Sequence, residues 1–190
     1  MNITQEFVVD RPVDAVWSFF ADVPEVARCL PGAELTEDLG GGEYAGKLEA
    51  KLGPMTVSFD GKASVSRDED ARSGHIDGSG ADRRGGSRGR VKVDYTVAAE
   101  GDGTKVVVDA DVTLQGPAAQ FGRVGLIKEM SSRLIGDFTS CLEAKLAADT
   151  VEEAAAIEAD DLAGASLFFS SLWAQVTGFF KRLFGRSSEL

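Results

Sequence analysis

Apolar and polar positions alternate with period two through the middle of the chain. Tyr44, Gly46, Leu48, Ala50 and Leu52 fall on one side, and Ala45, Lys47, Glu49 and Lys51 on the other. Gly53-Pro54 turns the chain. Met55, Val57, Phe59, Gly61, Ala63 and Val65 then alternate with Thr56, Ser58, Asp60, Lys62 and Ser64. Ile76, Gly78 and Gly80 continue more weakly. Val91, Val93, Tyr95 and Val97 form a further strand, and Gly101-Asp102-Gly103 is a hairpin signal leading into Val106, Val108, Ala110, Val112 and Leu114. Such alternation marks antiparallel strands with one buried and one wet face.

The two ends keep a different rhythm. Ile3 to Asp10 reads as a first strand, closed by Arg11-Pro12. Pro12 suits a helix start, and Val13, Val16, Trp17 and Phe20 recur at helical spacing. Asp22-Val23-Pro24 breaks that helix, and a second short one runs to Leu30 before Pro31-Gly32. Beyond the strands, Gly116-Pro117 starts a long helix with the apolar stripe Phe121, Leu126, Ile127, Met130, Leu134, Phe138, Cys141 and Leu142. That stripe must bury itself, and the apolar face of the sheet is the surface available. The predicted fold class is α+β: an antiparallel sheet curled round one long C-terminal helix, with two short helices after the first strand. Thr150 and Glu153 have capping-box spacing, at the head of an acidic, alanine-rich stretch that its charge should hold off the body.

Composition narrows the function classes. A formal net charge of -11 repels phosphate backbones and argues against nucleic acid as a partner. The opening MNITQEFVVD has no basic or apolar leader character, so a cytoplasmic location is expected. There, Cys29 and Cys141 are most simply reduced, buried thiols. A single histidine, His75, leaves little material for a His-based metal site or catalytic triad, and no metal is expected. Asp60, Asp94, Asp109 and Asp111 fall on the wet side of their strands, so nothing pairs carboxylates for acid–base work. No catalytic residue is expected.

Several segments carry a resemblance: FVVDRPVDAVWSFFADVPEVARCLPGAE at the start, the double strand YAGKLEAKLGPMTVSFDGKASV, GSGADRRGGSRGRVKVDYTV, and GTKVVVDADVTLQGPAAQFGRVGLI. Over roughly residues 1–148 the chain resembles the CoxG family, the G-type accessory proteins of carbon monoxide dehydrogenase, within the START-like, helix-grip (SRPBCC) superfamily. The resemblance implies an apolar cavity between helix and sheet, no catalytic residues, and a role beside a molybdenum-containing hydroxylase of the carbon monoxide dehydrogenase type. Such enzymes feed electrons to a respiratory chain whose mobile carrier is a membrane-dissolved quinone. A quinone, menaquinone or similar, is therefore the expected bound ligand.

The cavity wall is expected from inward strand positions and the helix stripe: Leu48, Met55, Val57, Phe59, Tyr95, Val97, Phe121, Leu126, Met130 and Leu134. For any single one of these, plain core packing is the simpler reading. The inward Gly46, Gly61, Gly78 and Gly80 have two compatible readings, space for a ligand or bulges that let the sheet bend. Tyr44 and Tyr95 hydroxyls, with Arg123 at the mouth, are candidate donors to a quinone carbonyl. The run from Arg83 to Arg90 reads more simply as a solvated hairpin loop than as a phosphate or headgroup site.

Residues 162–186 stand apart. As a helix, Phe168, Phe169, Leu172, Trp173, Val176, Phe179, Phe180 and Leu183 gather on one broad side, with Lys181 and Arg182 largely opposite. The asymmetry favours a helix lying in a membrane interface over a transmembrane span or a segment docked on a protein. The expected organisation is a ligand-binding domain (1–148), an acidic spacer (149–161), a membrane-seeking helix (162–186) and a free end (187–190). The expected function is a non-enzymatic carrier at the inner face of the cell membrane, moving a lipophilic quinone to the dehydrogenase. The alternatives are a membrane recruitment or assembly factor without ligand and, less favoured, a START-like cyclase.

Overall fold

A computed structural model describes residues 1–52, 55–121, 124–148 and 150–158. Seven strands form one antiparallel sheet in the order β1-β7-β6-β5-β4-β3-β2. The edges are β1 (Asn2–Val9) and β2 (Ala33–Gly40); between them lie β3 (Glu43–Leu52), β4 (Met55–Asp68), β5 (Ser73–Asp82), β6 (Ser87–Glu100) and β7 (Gly103–Gln115). Helices α1 (Val13–Phe19) and α2 (Val23–Arg28) connect the two edge strands and so cross the open side of the curled sheet. The long helix α3 (Val124–Ala147) packs mainly on β1, and a short α4 (Val151–Ala156) packs on α3. This is the expected helix-grip architecture.

Local chemistry explains the helix ends. Pro12 stands at the cap of α1, and the Asp22 carboxylate accepts the Glu25 N–H at 3.2 Å to start α2, with Pro24 in its first turn. The Thr150 hydroxyl accepts the Glu153 N–H at 3.2 Å, so the capping spacing does begin a helix. The acidic stretch is not held off at this point. Lys145 donates to the Ala154 carbonyl at 2.7 Å, and Ile157 packs against the core. Backbone carbonyls and one apolar side chain outweigh the acidic composition.

Three details differ from the sequence reading. The strand β2 is an added element, with irregular register against β3 at Leu35/Glu37 and Asp38/Gly40 and a mostly exposed, acidic face. A 3-10 turn at Gly116–Phe121 precedes the long helix, pinned where the Ala118 N–H donates to the Ser87 hydroxyl at 3.1 Å. Cys29 and Cys141 are not free thiols but form a disulfide, with Cα atoms 5.4 Å apart, because the C-cap of α2 lies directly against α3.

The solid core occupies one end of the grip. Trp17, Phe19 and Phe20 of α1 and its cap meet Tyr95 and Val97 of β6, Val106 of β7 and Phe138 and Leu142 of α3. Phe20 stacks on Tyr95 with ring centres 5.0 Å apart, and Phe138 meets Phe7, Phe19 and Phe20.

Candidate functional site

The other end of the grip is hollow. A cavity of about 350 Å³ lies between α2 and the concave face of strands β2 to β7. This is in the lower range for small-molecule sites, which run roughly 300–1,000 Å³. An apolar cavity of roughly 150 Å³ holds one benzene molecule. The cavity therefore suits two fused rings and a little more.

The sheet is hollow here because of one row of residues. Gly46 pairs with Gly61, Gly61 with Gly80, and Gly80 with Gly89. These are direct cross-strand partners, so four glycines lie side by side across β3, β4, β5 and β6. Leu35 closes the row on β2 and Leu114 on β7. All six line the cavity. Without side chains, the belt leaves a trough across the floor of the sheet, and the Phe59 ring lies along it, 3.5 Å from where a Gly89 side chain would begin.

The belt also bends the sheet. A Cβ on Gly61 would collide with the Ser79 carbonyl oxygen, and one on Gly46 would lie 2.7 Å from the Glu34 oxygen. The pairing of β3 with β4 and of β4 with β5 is continuous through these positions, so the bend needs no bulge. The bulge reading of the inward glycines is therefore corrected: close backbone approach, not a bulge, accompanies the curl at Gly46 and Gly61, and the missing side chains leave the floor of the sheet empty.

The roof comes from α2 and its exit, through Val23, Val26, Ala27 and Leu30. Leu48 lines the cavity yet is 41% exposed, which puts the open side at β3. Charged residues along the wall, Glu34, Lys47, Lys62 and Arg90, alternate with the inward positions of their strands; Lys47 pairs with Glu34 at 3.5 Å and Arg90 with Asp77 at 2.6 Å. The Arg90 bond holds the Asp77 carboxyl below its ordinary range. Tyr44 lines the cavity, and its hydroxyl has no hydrogen-bond partner among the described residues. It is a free donor beside an apolar chamber.

The expected wall residues divide into groups. Leu48 and Phe59 line the cavity. Val57 is fully buried in a small cluster with Ala118, against which Phe59 and Met130 pack, and does not line the cavity. Met130 and Leu134, expected on the wall from the helix stripe, are half-buried on α3 and do not line the cavity, which is roofed by α2 instead. Tyr95 and Val97 belong to the solid core at the far end of β6. The Tyr95 ring lies against Gly74, where a Cβ would strike it, and burial raises its hydroxyl above the ordinary phenol range. The Met55, Phe121 and Leu126 side chains, Arg123, and the whole tail from Phe168 to Leu183 lie outside the described residues.

Two contributors went unread in the sequence. Gly89 completes the belt, but the expected strand began two residues later, at Val91. The roof had a signal, since Val23, Val26, Ala27 and Leu30 follow the i, i+3, i+4, i+7 rhythm of one helix face.

The outer features are structural. The His75 ring pairs with Asp94 at 2.8 Å across β5 and β6 on the exposed face. The arginine-rich turn is ordered by the Asp82 carboxylate, which accepts the Arg84 and Gly85 N–H groups at 2.9 and 2.8 Å. Among the described residues no helix is long and apolar enough to cross a membrane.

Comparison with solved structures supports the fold. A conserved protein from Geobacillus kaustophilus matches with a TM-score of 0.65 at 18% identity, covering 77% of this chain and 95% of its own. A protein from Thermus thermophilus matches at 0.58 and 16%, covering 79% and 100%. A Chromobacterium violaceum protein matches at 0.51 and 17%, covering 75% and 96%. No curated protein sequence matches. The family model for CoxG, the G subunit of carbon monoxide dehydrogenase, fits residues 6–147, a span that holds all of the sheet but the start of β1, the roof helix and the whole of α3. The chain therefore belongs to the CoxG family.

Proposed function

We propose that this chain is a non-enzymatic carrier that binds a lipophilic quinone, menaquinone or similar, and serves a molybdenum-containing dehydrogenase of the carbon monoxide type. The observation that carries this reading is the glycine-floored apolar cavity with one free hydroxyl. A cavity of about 350 Å³ takes a bicyclic head and the first carbons of a chain. A longer isoprenoid tail leaves by the open side at Leu48. Tyr44 donates to a quinone carbonyl. The family membership supplies the partner class.

The physical need for such a carrier is plain. Each CH₂ exposed to water costs about 0.8 kcal/mol, so a polyprenyl quinone does not travel through water unaided. The tail at 162–186 brings the cavity to the inner face of the cell membrane, where the cargo dissolves. Lys181 and Arg182 favour anionic headgroups.

The test is to expose the purified chain to quinone-containing membranes, recover it, extract it with organic solvent and identify the extract by mass spectrometry. A bound quinone supports the carrier. Membrane binding with no lipid in the extract favours the recruitment factor instead.

A further inference from the structure

The roof of the cavity is its least self-sufficient wall. Helix α2 buries no side chain completely and is only six residues long. It is held from behind. Cys29 at its C-cap is bonded to Cys141 of α3, and both cysteines are fully buried. One turn earlier, Glu25 accepts from Lys145 of α3 at 2.7 Å, and the Lys145 side chain is only 2% exposed. The same ammonium holds the Ala154 carbonyl of α4. Val26 and Leu30 touch the cavity on one side and the core on the other. A short helix so placed follows its attachments.

We propose that the Cys29–Cys141 bond is a redox-sensitive lock on the cavity roof. With the disulfide formed, α2 is fixed over the glycine belt and exchange of an apolar ligand is slow. With it reduced, α2 is held by the Glu25–Lys145 pair and weak packing, opens more often, and exchange is fast. The gating part rests on the reading of the cavity as a ligand site.

The chemistry is thiol–disulfide exchange with an external dithiol. One thiolate attacks a cysteine sulfur and gives a mixed disulfide. The second thiol of the reductant then displaces the other bond. The Sγ–Sγ bond is broken, two electrons and two protons end on Cys29 and Cys141, and the dithiol leaves as its own disulfide. The oxidised dithiol reverses the step. Because both sulfurs are buried, the attack waits for α2 to lift, and this same motion opens the cavity. An occupied cavity should therefore slow reduction.

The full chain is compared oxidised, reduced with dithiothreitol, and as the Cys29→Ala/Cys141→Ala variant, with thiol content checked by alkylation and mass. Hydrogen exchange is followed in peptides covering α2 and β5. Release of 1-aminoanthracene, an apolar fluorescent probe, is followed by stopped flow. Reduction is expected to raise exchange in α2 about tenfold more than in β5. Probe release should accelerate, and bound probe should slow the appearance of thiols. Equal change in α2 and β5, or no change in either, overturns the lock. A loosened α2 with unaltered probe release overturns the gating. A probe that binds neither form counts against the cavity reading and the gating together, while hydrogen exchange still decides the lock. Should the variant not fold, reduction of the native chain gives the same comparison.

Discussion

At Gly89 a Cβ would meet Phe59 and Leu114 at 3.5 and 3.6 Å, ordinary contact distances, with the cavity beyond. Gly89→Leu is therefore expected to fold and to weaken binding of an apolar probe by about tenfold or more, equivalent to ~1.4 kcal/mol. Fluorescence titration beside thermal melting checks both halves. Gly61 is the counterpart. There the added carbon meets backbone, so Gly61→Ala is expected to cost ~1–3 kcal/mol of stability, read by urea denaturation. If Gly61→Ala is neutral, the belt does not set the bend. Tyr95 gives a pH prediction. Burial raises its pKa, Arg67 opposes the rise and Glu69 adds to it. The folded state holds that proton more tightly than the unfolded chain. The associated stability is whole below the unfolded value, about 10, and is lost as pH climbs through the folded one. Tyr95→Phe should flatten the alkaline limb of a stability–pH profile, and an unchanged limb contradicts this origin.

Elements were legible where one periodic signal dominated. The inner faces of β3, β4, β6 and β7 follow the alternation, and α3 buries Phe138, Cys141 and Leu142 from its stripe. The strand β2 was not legible, because an edge strand with an acidic exposed face and shifted register carries no clean period. The cysteine pairing was hidden for another reason. It depends on α2 and α3 meeting across 112 residues of sequence. The belt's alignment is likewise a matter of register, which inward glycines on separate strands do not state. The ionic side of the α2 attachment has its own prediction. Glu25→Ala leaves the Lys145 ammonium buried without its carboxylate, at a cost of ~3 kcal/mol, whereas Glu25→Gln should recover part of it. Denaturant midpoints of the two variants check this, and equal midpoints would reduce the pair to a surface contact.

For the whole molecule, solid core and cavity share one grip: aromatic packing under α1 and the end of α3, and a glycine-floored chamber under α2. In the proposed reading the tail adds location. Truncation before Leu162 is expected to abolish sedimentation with anionic vesicles while leaving the thermal melt of the domain intact; sedimentation that survives would place the membrane contact elsewhere. Everything else depends on the glycine belt making room for a lipophilic quinone. That dependence is read out by mass spectrometry of solvent extracts from the native chain and from Gly89→Leu, both recovered from the same quinone-containing membranes. Quinone is expected in the native extract, with strong depletion in the variant. Equal quinone in both, or none in the native chain, would mean that the belt does not serve as a quinone site.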